Sequence, residues 1–275
     1  MQSNFHEKLI NFEVLLCEKY GWQNSVTSIQ LNRTSQRQFY LNDGFHVGSV
    51  FKNSRLLERV SSPYQDIRVF DTEIMGRIMV LDGCVQITDE LDDNYTLDMI
   101  RFVVDPNKNY SNLLIIGAGD LVIPSYLVEN RKNVKKITVV EIDEKVCQTV
   151  GKYFKFSSIL NTEETRQFFT LKFEDGGKFV ENAKNQKEIY DGIIIDCTDV
   201  DIEDSVASSL FNVQFYKNLR EIMEKGAVFS QQITDTNSKK KFEKMIGEAG
   251  FVDPQFIFSE TPEYSVCLPI GIVKK

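Results

Sequence analysis

Short apolar runs alternate with longer amphipathic stretches from about residue 110 towards the C-terminus. The apolar runs fit buried β-strands, and the stretches between and after them carry the apolar periodicity of α-helices. The predicted strands are 113–116, 137–140, 168–171, 193–195 and 228–230, and the predicted helices are 123–129, 145–154, 177–183, 213–223 and 239–249. This alternation predicts an α/β fold, with a Rossmann-like, doubly wound, mostly parallel sheet covered by helices on both faces.

The first third of the chain has a different pattern. Residues 5–20 place apolar side chains on one stripe among charged ones, which predicts an amphipathic helix that packs or makes an oligomer contact. Between about residues 46 and 88 apolar and polar positions alternate, which predicts short antiparallel strands. Asp82 and Gly83 suit a tight hairpin turn, and Gly76 suits a second one.

These patterns divide the chain into three parts. We expect a helical extension over 1–40, a small antiparallel β domain over 41–90, and the Rossmann-like nucleoside-binding domain over 91–275, which begins with a helical stretch near 95–103. The small β domain is expected to close over the larger one, with the functional site between them.

Ligands of doubly wound sheets bind at the carboxyl ends of the strands, so the residues that end each strand carry the functional prediction. The first strand ends in Gly117, Ala118, Gly119 and Asp120, where small residues let backbone N–H groups approach a ligand at the start of a helix. The second strand ends in Glu141, which can accept hydrogen bonds from both ribose hydroxyls of an adenosine ligand. The third glycine of the dinucleotide fingerprint is missing, which favours a mononucleoside over NAD.

Three more carboxylates follow the third and fourth strands. Asp175 has two possible roles, accepting a hydrogen bond from an adenine amino group or capping the next helix, and its spacing supports both equally. Asp196 and Asp199 follow the fourth strand. Together with Asp120 and Glu141 they bring so much negative charge to one sheet edge that a cationic ligand is expected to balance it.

The composition agrees with a cationic substrate. Of 275 residues, 40 are acidic and 32 are basic, so the net charge is −8. Such a chain repels phosphates and attracts small cations, so no nucleic-acid partner is expected. Uncharged apolar runs fall far short of the roughly 20 residues that span a bilayer, and charged residues stand where a secretory signal would be apolar. We therefore expect no membrane partner and a cytoplasmic location.

Cysteine and histidine give no metal site. The five cysteines are scattered without a CxxC pair, and the only two histidines, His6 and His46, are not at ligand spacing. Cys197 beside Asp196 could act as a nucleophile, but a cysteine at the end of a buried strand is more typical of packing.

Several segments resemble the polyamine aminopropyltransferases, the family that includes spermidine and spermine synthases. They follow that family's order and spacing from about residue 50 to residue 232, whereas the first and last 40 residues match poorly. The matching segments are SPYQDI at 62–67, GRIMVLDG at 76–83, VEID at 140–143, EDG at 174–176, DCTD at 196–199, SLF at 209–211 and FY at 215–216.

The resemblance implies a class I methyltransferase-like fold with a small N-terminal β domain. It also implies transfer of an aminopropyl group from decarboxylated S-adenosylmethionine to a polyamine, with release of methylthioadenosine. The decarboxylated donor would be a co-substrate, and no cofactor would be bound permanently. The family's dimerisation gives the expectation of a homodimer.

The resemblance also assigns roles. Asp196 would be the base that removes a proton from the acceptor ammonium, whose pKa is about 10 in water. Asp199, Gln65 and Tyr95 would orient the acceptor nitrogen. The expected binding residues are Gln65, Gly117, Gly119, Asp120, Glu141 for the ribose and Asp175 for the adenine.

Asp120 discriminates between donors. An ordinary methyltransferase must accommodate the carboxylate of intact S-adenosylmethionine near this loop, and Asp120 would repel it. The decarboxylated donor presents only an ammonium there, which Asp120 would attract.

The chain departs from the family at several places. The family's GGGDGG loop reads GAGDLV at 117–122, and Leu121 and Val122 are expected to penalise positive φ and to crowd the donor. Other departures surround the acceptor channel: Thr96 and Leu97 after Tyr95, VDIED at 200–204 in place of a Pro-x-Gly-Pro gate, and YSVC at 264–267 in place of Tyr-Pro-Ser-Gly. They leave open an unusual acceptor and two alternatives: a non-catalytic relative acting as a partner or regulatory subunit, and an S-adenosylmethionine-dependent methyltransferase.

Overall fold

A computed structural model describes most of the chain from residue 26 onwards. The described residues are 26–31, 37–41, 48–50, 54–72, 75–89, 94–130, 133–197, 209–233, 236–261 and 266–275. The chain divides into two compact units, Met1–Leu91 and Asp92–Lys275. The predicted helix at 5–20 and the predicted site residue Asp199 lie outside the described residues.

The first unit contains two antiparallel sheets. The three-stranded sheet consists of β1 (Val26–Leu31), β2 (Arg37–Leu41) and β3 (Gly48–Val50). The four-stranded sheet is a meander of β4 (Arg55–Ser61), β5 (Asp66–Thr72), β6 (Gly76–Leu81) and β7 (Cys84–Thr88). Because β1 and β2 begin within residues 1–40, the β structure starts earlier than the predicted helical extension allowed.

Turn residues set the register of the four-stranded sheet. Asp82 and Gly83 connect β6 to β7 with φ values of 49° and 86°, and a two-residue type I′ hairpin turn requires positive φ at both positions. Gly76 begins β6 with a φ of 63°, and a Cβ there would lie 2.7 Å from the Cβ of Asp89. The predicted hairpin turn at Asp82 and Gly83 is confirmed, whereas the turn before Gly76 includes residues outside the described part of the chain.

The second unit is built on one seven-stranded sheet. Its strands are β8 (Leu113–Gly117), β9 (Ile137–Glu141), β10 (Phe169–Phe173), β11 (Tyr190–Asp196), β12 (Met223–Gln232), β13 (Gln255–Thr261) and β14 (Val266–Lys274). The order across the sheet is β10-β9-β8-β11-β12-β14-β13. Strands β8 to β12 are parallel, and β14 is antiparallel to both of its neighbours. The predicted doubly wound, mostly parallel sheet is confirmed.

Helices cover both faces of this sheet. They are α1 (Asn94–Ile100), α2 (Val122–Asn130), α3 (Glu144–Tyr153), α4 (Gly176–Asn185), α5 (Val213–Ile222) and α6 (Thr236–Glu248), with 3₁₀ segments at Lys155–Asn161 and Thr165–Gln167. Every residue of β8 and β9 is buried. Successive residues of β8 belong to different apolar clusters, Leu114 and Ile116 to one and Ile115 to the other, so the sheet separates two hydrophobic cores.

Two strands of the second unit were not predicted. In β14, Pro269 and Gly271 interrupt the apolar run that would indicate a strand. β13 lies at the sheet edge, where Phe258 is 62% exposed, so its apolar residues do not mark a buried strand. The antiparallel edge of the sheet was therefore missed. Among the described residues no helix is long and apolar enough to cross a membrane.

Candidate active site

The carboxyl ends of β8 and β11 meet where the strand order of the sheet reverses. β9 and β10 follow β8 on one side of it, whereas β11 and β12 lie on the other side. Gly117 at the end of β8 pairs with Asp196 at the end of β11. Doubly wound sheets bind ligands at such a switch point, so the predicted glycine loop and the predicted base occupy the expected position.

Gly117 approaches the backbone of Asp196 too closely for any other residue. Its φ is 83°, and a Cβ on it would lie 1.9 Å from the carbonyl oxygen of Asp196. The next residue, Ala118, donates its N–H to that same oxygen at 2.7 Å. The loop after β8 is therefore fixed to the strand that carries Asp196.

The remainder of this loop turns tightly into α2. Ala118 and Leu121 both have left-handed backbone conformations, with φ values of 56° and 63°, and the Leu121 N–H donates to the Ala118 carbonyl at 2.8 Å. Asp120 accepts a hydrogen bond from the Val122 N–H at 3.0 Å at the start of the helix. Leu121 therefore carries the expected backbone strain, whereas Val122 is already helical and carries none.

Glu141, at the end of β9, is buried against Gly119. A Cβ on Gly119 would lie 2.9 Å from Oε2 of Glu141, so the glycine leaves the space that the carboxylate fills. Oε1 of Glu141 accepts the Asp143 N–H at 2.8 Å, and Asp143 in turn caps α3 by accepting the Lys145 N–H. These contacts fix the carboxylate beside the loop.

Tyr95 of α1 is hydrogen-bonded to the end of β11. Its hydroxyl donates to Oδ1 of Asp196 at 2.7 Å, although the two residues are 101 positions apart in sequence. Gln232, the last residue of β12, places its Oε1 3.2 Å from the same hydroxyl. The structure thus brings Tyr95 and Asp196 together, as the predicted roles of acceptor orientation and base require.

Burial raises the pKa values of three carboxyl groups at this edge of the sheet, those of Asp120, Glu141 and Asp196. The pKa of Asp120 is raised to about 7, chiefly by burial and then by repulsion from Asp196. Burial also raises the pKa of Glu141 to about 7, against hydrogen bonds from the backbone N–H groups of Asp143 and Ile142 that lower it. A cation bound here would favour the ionised form of these groups.

Opposing effects act on Asp196. Burial raises its pKa, while the hydrogen bond from Tyr95 lowers it by stabilising the carboxylate. The pKa of Tyr95 is raised well above its ordinary value, chiefly by burial and then by the charge of Asp196, so the phenol keeps its proton. An aspartate whose pKa is raised and whose orientation is fixed by a donor can accept a proton.

Asp175 caps α4. Its carboxylate accepts the Lys178 N–H at 2.8 Å, and its own backbone is extended, as an N-cap residue requires. Of the two roles that its spacing supported, the helix cap is confirmed, and the contact to adenine stays a prediction.

Two further predicted residues have separate positions. Gln65 belongs to the first unit and lies in the turn between β4 and β5, where its N–H donates to Oγ of Ser62 at 3.0 Å. Asp199 lies outside the described residues. The roles of both stay predictions.

Gln232 was not predicted as a site residue from the sequence. The predicted strand 228–230 ended before it, whereas β12 continues to Gln232 and places it at the carboxyl edge near Asp196. A signal was present, because two consecutive glutamines follow the apolar run, and polar residues that end parallel strands are candidates for the site.

Residues of both units match known families. Residues 92–272 match the family model described as the spermine/spermidine synthase domain. Residues 47–89 match the family model described as the spermidine synthase tetramerisation domain. The first match covers almost all of the second unit, and the second covers β3 to β7.

Curated proteins similar to this chain are polyamine aminopropyltransferases. The chain is 35% identical over 185 residues to that of Thermoplasma acidophilum, which covers 66% of this chain and 63% of the relative. It is 34% identical over 206 residues to that of Alkaliphilus metalliredigens, with coverages of 74% and 67%. It is 30% identical over 219 residues to that of Erwinia tasmaniensis, which covers 77% of this chain and 73% of the relative. The chain thus spans less than two thirds of the length of the Thermoplasma relative.

Solved spermidine synthases have a similar fold. The Thermotoga maritima enzyme superposes with a TM-score of 0.73 at 21% identity, covering 90% of this chain and 82% of that one. A spermidine synthase in complex with the transition state analogue AdoDATO gives a TM-score of 0.74 at 21% identity, with coverages of 90% and 83%. At this level of identity the likeness shows a shared fold.

Proposed function

Because the chain belongs to the spermine/spermidine synthase family, we propose that it transfers an aminopropyl group from decarboxylated S-adenosylmethionine to a polyamine and releases methylthioadenosine. The observation that carries this proposal is the hydrogen bond between Tyr95 and Asp196 at the switch point of the sheet. It supplies an oriented proton acceptor close to the carboxyl groups of Asp120 and Glu141, which suit a cationic ligand.

Asp196 removes the proton that prevents the acceptor from reacting. An aliphatic ammonium has a pKa of about 10 and no lone pair with which to attack carbon. In the proposed reaction one ammonium proton passes to Asp196, whose carboxylate Tyr95 holds in place. The amine nitrogen then bonds to the carbon beside the donor's sulfonium, and the carbon–sulfur bond breaks with its electrons going to sulfur. The thioether leaves uncharged, and the positive charge moves to the alkylated nitrogen.

The donor is proposed to lie along the ends of β8, β9 and β10. Glu141 would accept hydrogen bonds from the ribose hydroxyls, and Asp175 would contact the adenine. Gly117 and Gly119 would let the backbone approach the donor. Asp120 would pair with the ammonium that remains after decarboxylation, which excludes intact S-adenosylmethionine because its carboxylate would be repelled.

The altered glycine loop is compatible with this activity. Leu121 adopts the positive φ that glycine would favour, and its N–H closes the turn with Ala118. The loop therefore keeps a tight path in spite of the substitution, which supports an active enzyme over a non-catalytic relative.

Asp199 and Gln65 are proposed to help orient the acceptor, on the basis of the resemblance alone. The match of residues 47–89 to a tetramerisation domain supports assembly into an oligomer, of which a homodimer is the finer expectation. Light scattering coupled to size-exclusion chromatography gives the number of subunits directly. The cytoplasmic location stays a prediction.

Release of methylthioadenosine tests the function. The purified chain, decarboxylated S-adenosylmethionine and a panel of diamines and triamines are incubated together, and the nucleoside product is separated by chromatography. We expect release that requires an amine, with one acceptor preferred. Parallel incubations with intact S-adenosylmethionine test the methyltransferase alternative. No release with any amine, together with no binding of methylthioadenosine by calorimetry, would point to the non-catalytic relative.

A further inference from the structure

The hydroxyl of Tyr95 has two oxygen atoms within reach and only one proton to donate. Oδ1 of Asp196 lies at 2.7 Å and Oε1 of Gln232 at 3.2 Å. A phenol oxygen can also accept a hydrogen bond, and a carboxamide offers both an acceptor oxygen and a donor NH₂ group. Gln232 can therefore serve Tyr95 in either direction, according to where the phenolic proton points.

The direction depends on the protonation state of Asp196. When Asp196 is ionised, it is the stronger acceptor and accepts the hydrogen bond from the Tyr95 hydroxyl. When Asp196 is protonated, its own O–H can donate to Tyr95, and the phenolic proton then needs another acceptor. The Gln232 oxygen is placed for that second arrangement.

We propose that Gln232 is a positioning residue that preserves the Tyr95–Asp196 hydrogen bond when Asp196 gains a proton. In that state the protonated carboxyl group of Asp196 donates to the Tyr95 oxygen, and the Gln232 oxygen accepts the hydrogen bond of the phenol. This inference rests on the proposed function, in which Asp196 receives the proton of the acceptor amine. Only one proton is transferred from the substrate, while the phenolic hydrogen of Tyr95 turns from Asp196 to Gln232. Gln232 thereby stabilises the state that follows proton removal.

Other ionisable groups around Asp196 do not supply this acceptor in the described residues. The groups that interact electrostatically with Tyr95 or Asp196 are Asp120 in the loop after β8, Glu141 of β9 and Cys197 beside Asp196. The hydrogen bonds of the Tyr95 hydroxyl go to Asp196 and Gln232. Removing the Gln232 amide should therefore make protonation of Asp196 less favourable.

The opposite face of β12 offers a matched control. Tyr216 of α5 donates its hydroxyl to Oε1 of Gln231 at 3.0 Å, so a second tyrosine–glutamine bond joins a helix to the same strand. That bond does not include Asp196. Tyr216→Phe removes the hydroxyl that donates to Gln231. It therefore reports the effect of losing a tyrosine–glutamine hydrogen bond that does not involve Asp196.

The test follows the titration of Asp196 in the ligand-free full chain, by carboxyl ¹³C NMR with assignment from Asp196→Asn. Gln232→Met, which has a similar length and no amide, is expected to lower the apparent pKa of Asp196 by about one unit. Gln232→Glu, whose carboxylate accepts the hydrogen bond of the Tyr95 hydroxyl and adds a like charge, is expected to raise that pKa. Tyr216→Phe should leave the titration unchanged. Opposite shifts from two substitutions at one position are not expected from a general loss of packing.

Kinetics and a second background complete the test. Gln232→Met is expected to lower kcat by about tenfold with little change in KM. In a protein that already carries Tyr95→Phe, adding Gln232→Met should not shift the pKa of Asp196 any further. An unchanged Asp196 titration in Gln232→Met, or an equal shift in the Tyr95→Phe background, would overturn the inference. Absence of methylthioadenosine release by the unaltered chain would instead remove the proposed function, and the NMR result would still decide whether Gln232 supports protonation of Asp196.

Discussion

At the scale of single residues, the behaviour of Asp196 comes from two opposing environments. Burial favours its protonated form, and the hydrogen bond donated by Tyr95 favours the carboxylate. Burial thus makes Asp196 a stronger proton acceptor, and the Tyr95 hydroxyl stabilises the carboxylate form that accepts the proton.

Replacing these two residues should have effects of different size. Asp196→Asn removes the proton acceptor and is expected to lower kcat for methylthioadenosine release by a factor of about 100 or more. Tyr95→Phe leaves the carboxylate but removes its donor, so we expect a loss of about tenfold. Because the donor lowers the pKa of Asp196, Tyr95→Phe should also move the acidic limb of the pH–rate profile to higher pH. Steady-state kinetics from pH 5 to pH 9 measure both.

Tyr216→Phe is again the control, because it removes a buried tyrosine hydroxyl that is hydrogen-bonded to Gln231 of β12 and not to Asp196. It should leave the position of the acidic limb unchanged. Full activity of Asp196→Asn would show that another group removes the proton.

The positions of two candidate site residues could be predicted from the sequence because each ends a strand. Glu141 and Asp196 directly end buried strands, so the rule for doubly wound sheets located them without the structure. Asp175 was undecided because one carboxylate can both cap a helix and bind a ligand. Gln232 was missed because the apolar signal stopped before the true end of β12, and the strand continues through polar residues that pair with β14.

At the scale of elements, the loop between β8 and α2 depends on one contact. Gly117→Ala would place a methyl group 1.9 Å from the Asp196 carbonyl oxygen and force a positive φ on alanine. We expect a loss of about 3 kcal/mol or more in the free energy of unfolding, because the contact is with backbone that cannot move aside. Urea denaturation followed by circular dichroism measures this change, and activity should fall because Asp196 is displaced.

Gly151 gives the matched comparison. It lies within α3, and a Cβ on it would have nothing within 4 Å. Gly151→Ala should stabilise the protein by about 0.5–1 kcal/mol through helix propensity. Equal effects of the two substitutions would mean that the close approach of Gly117 to Asp196 is not what fixes the loop.

The elements themselves were predictable to different degrees. β8, β9 and β11 lie in the interior of the sheet and appear in the sequence as apolar runs, so their existence could be predicted directly. β13 and β14 could not be predicted in this way. Pro269 and Gly271 interrupt the apolar run of β14, and β13 lies at the edge of the sheet with Phe258 exposed. Strands β1 and β2 begin within the region 1–40 that was predicted to be a helical extension. The helical pattern covers only residues 5–20, so the predicted extension was too long.

At the scale of the whole molecule, the acidic site makes stability depend on pH. The pKa values of Asp120 and Glu141 are raised from 3.8 and 4.5 to about 7 in the folded chain. Between these limits the folded state binds more protons than the unfolded state, so the free energy of unfolding falls as pH rises. This contribution is fully present below about pH 4 and is lost as the pH passes 7. The ligand-free protein should therefore be less stable at pH 8 than at pH 5.

Asp120→Asn tests this dependence, because it removes one carboxyl group whose pKa is raised and the repulsion between that group and Asp196. We expect the variant to be more stable than the unaltered chain at pH 8, and the loss of stability from pH 5 to pH 8 to shrink by about 2–3 kcal/mol. Glu129→Gln removes a charge of the same sign from an exposed position of α2 and should leave the slope unchanged. Urea denaturation of the three proteins at the two pH values gives the six free energies of unfolding. If both variants flatten the slope equally, net charge is responsible rather than the site. If neither does, burial does not raise the pKa of Asp120 in the folded chain, and the pH dependence has another origin.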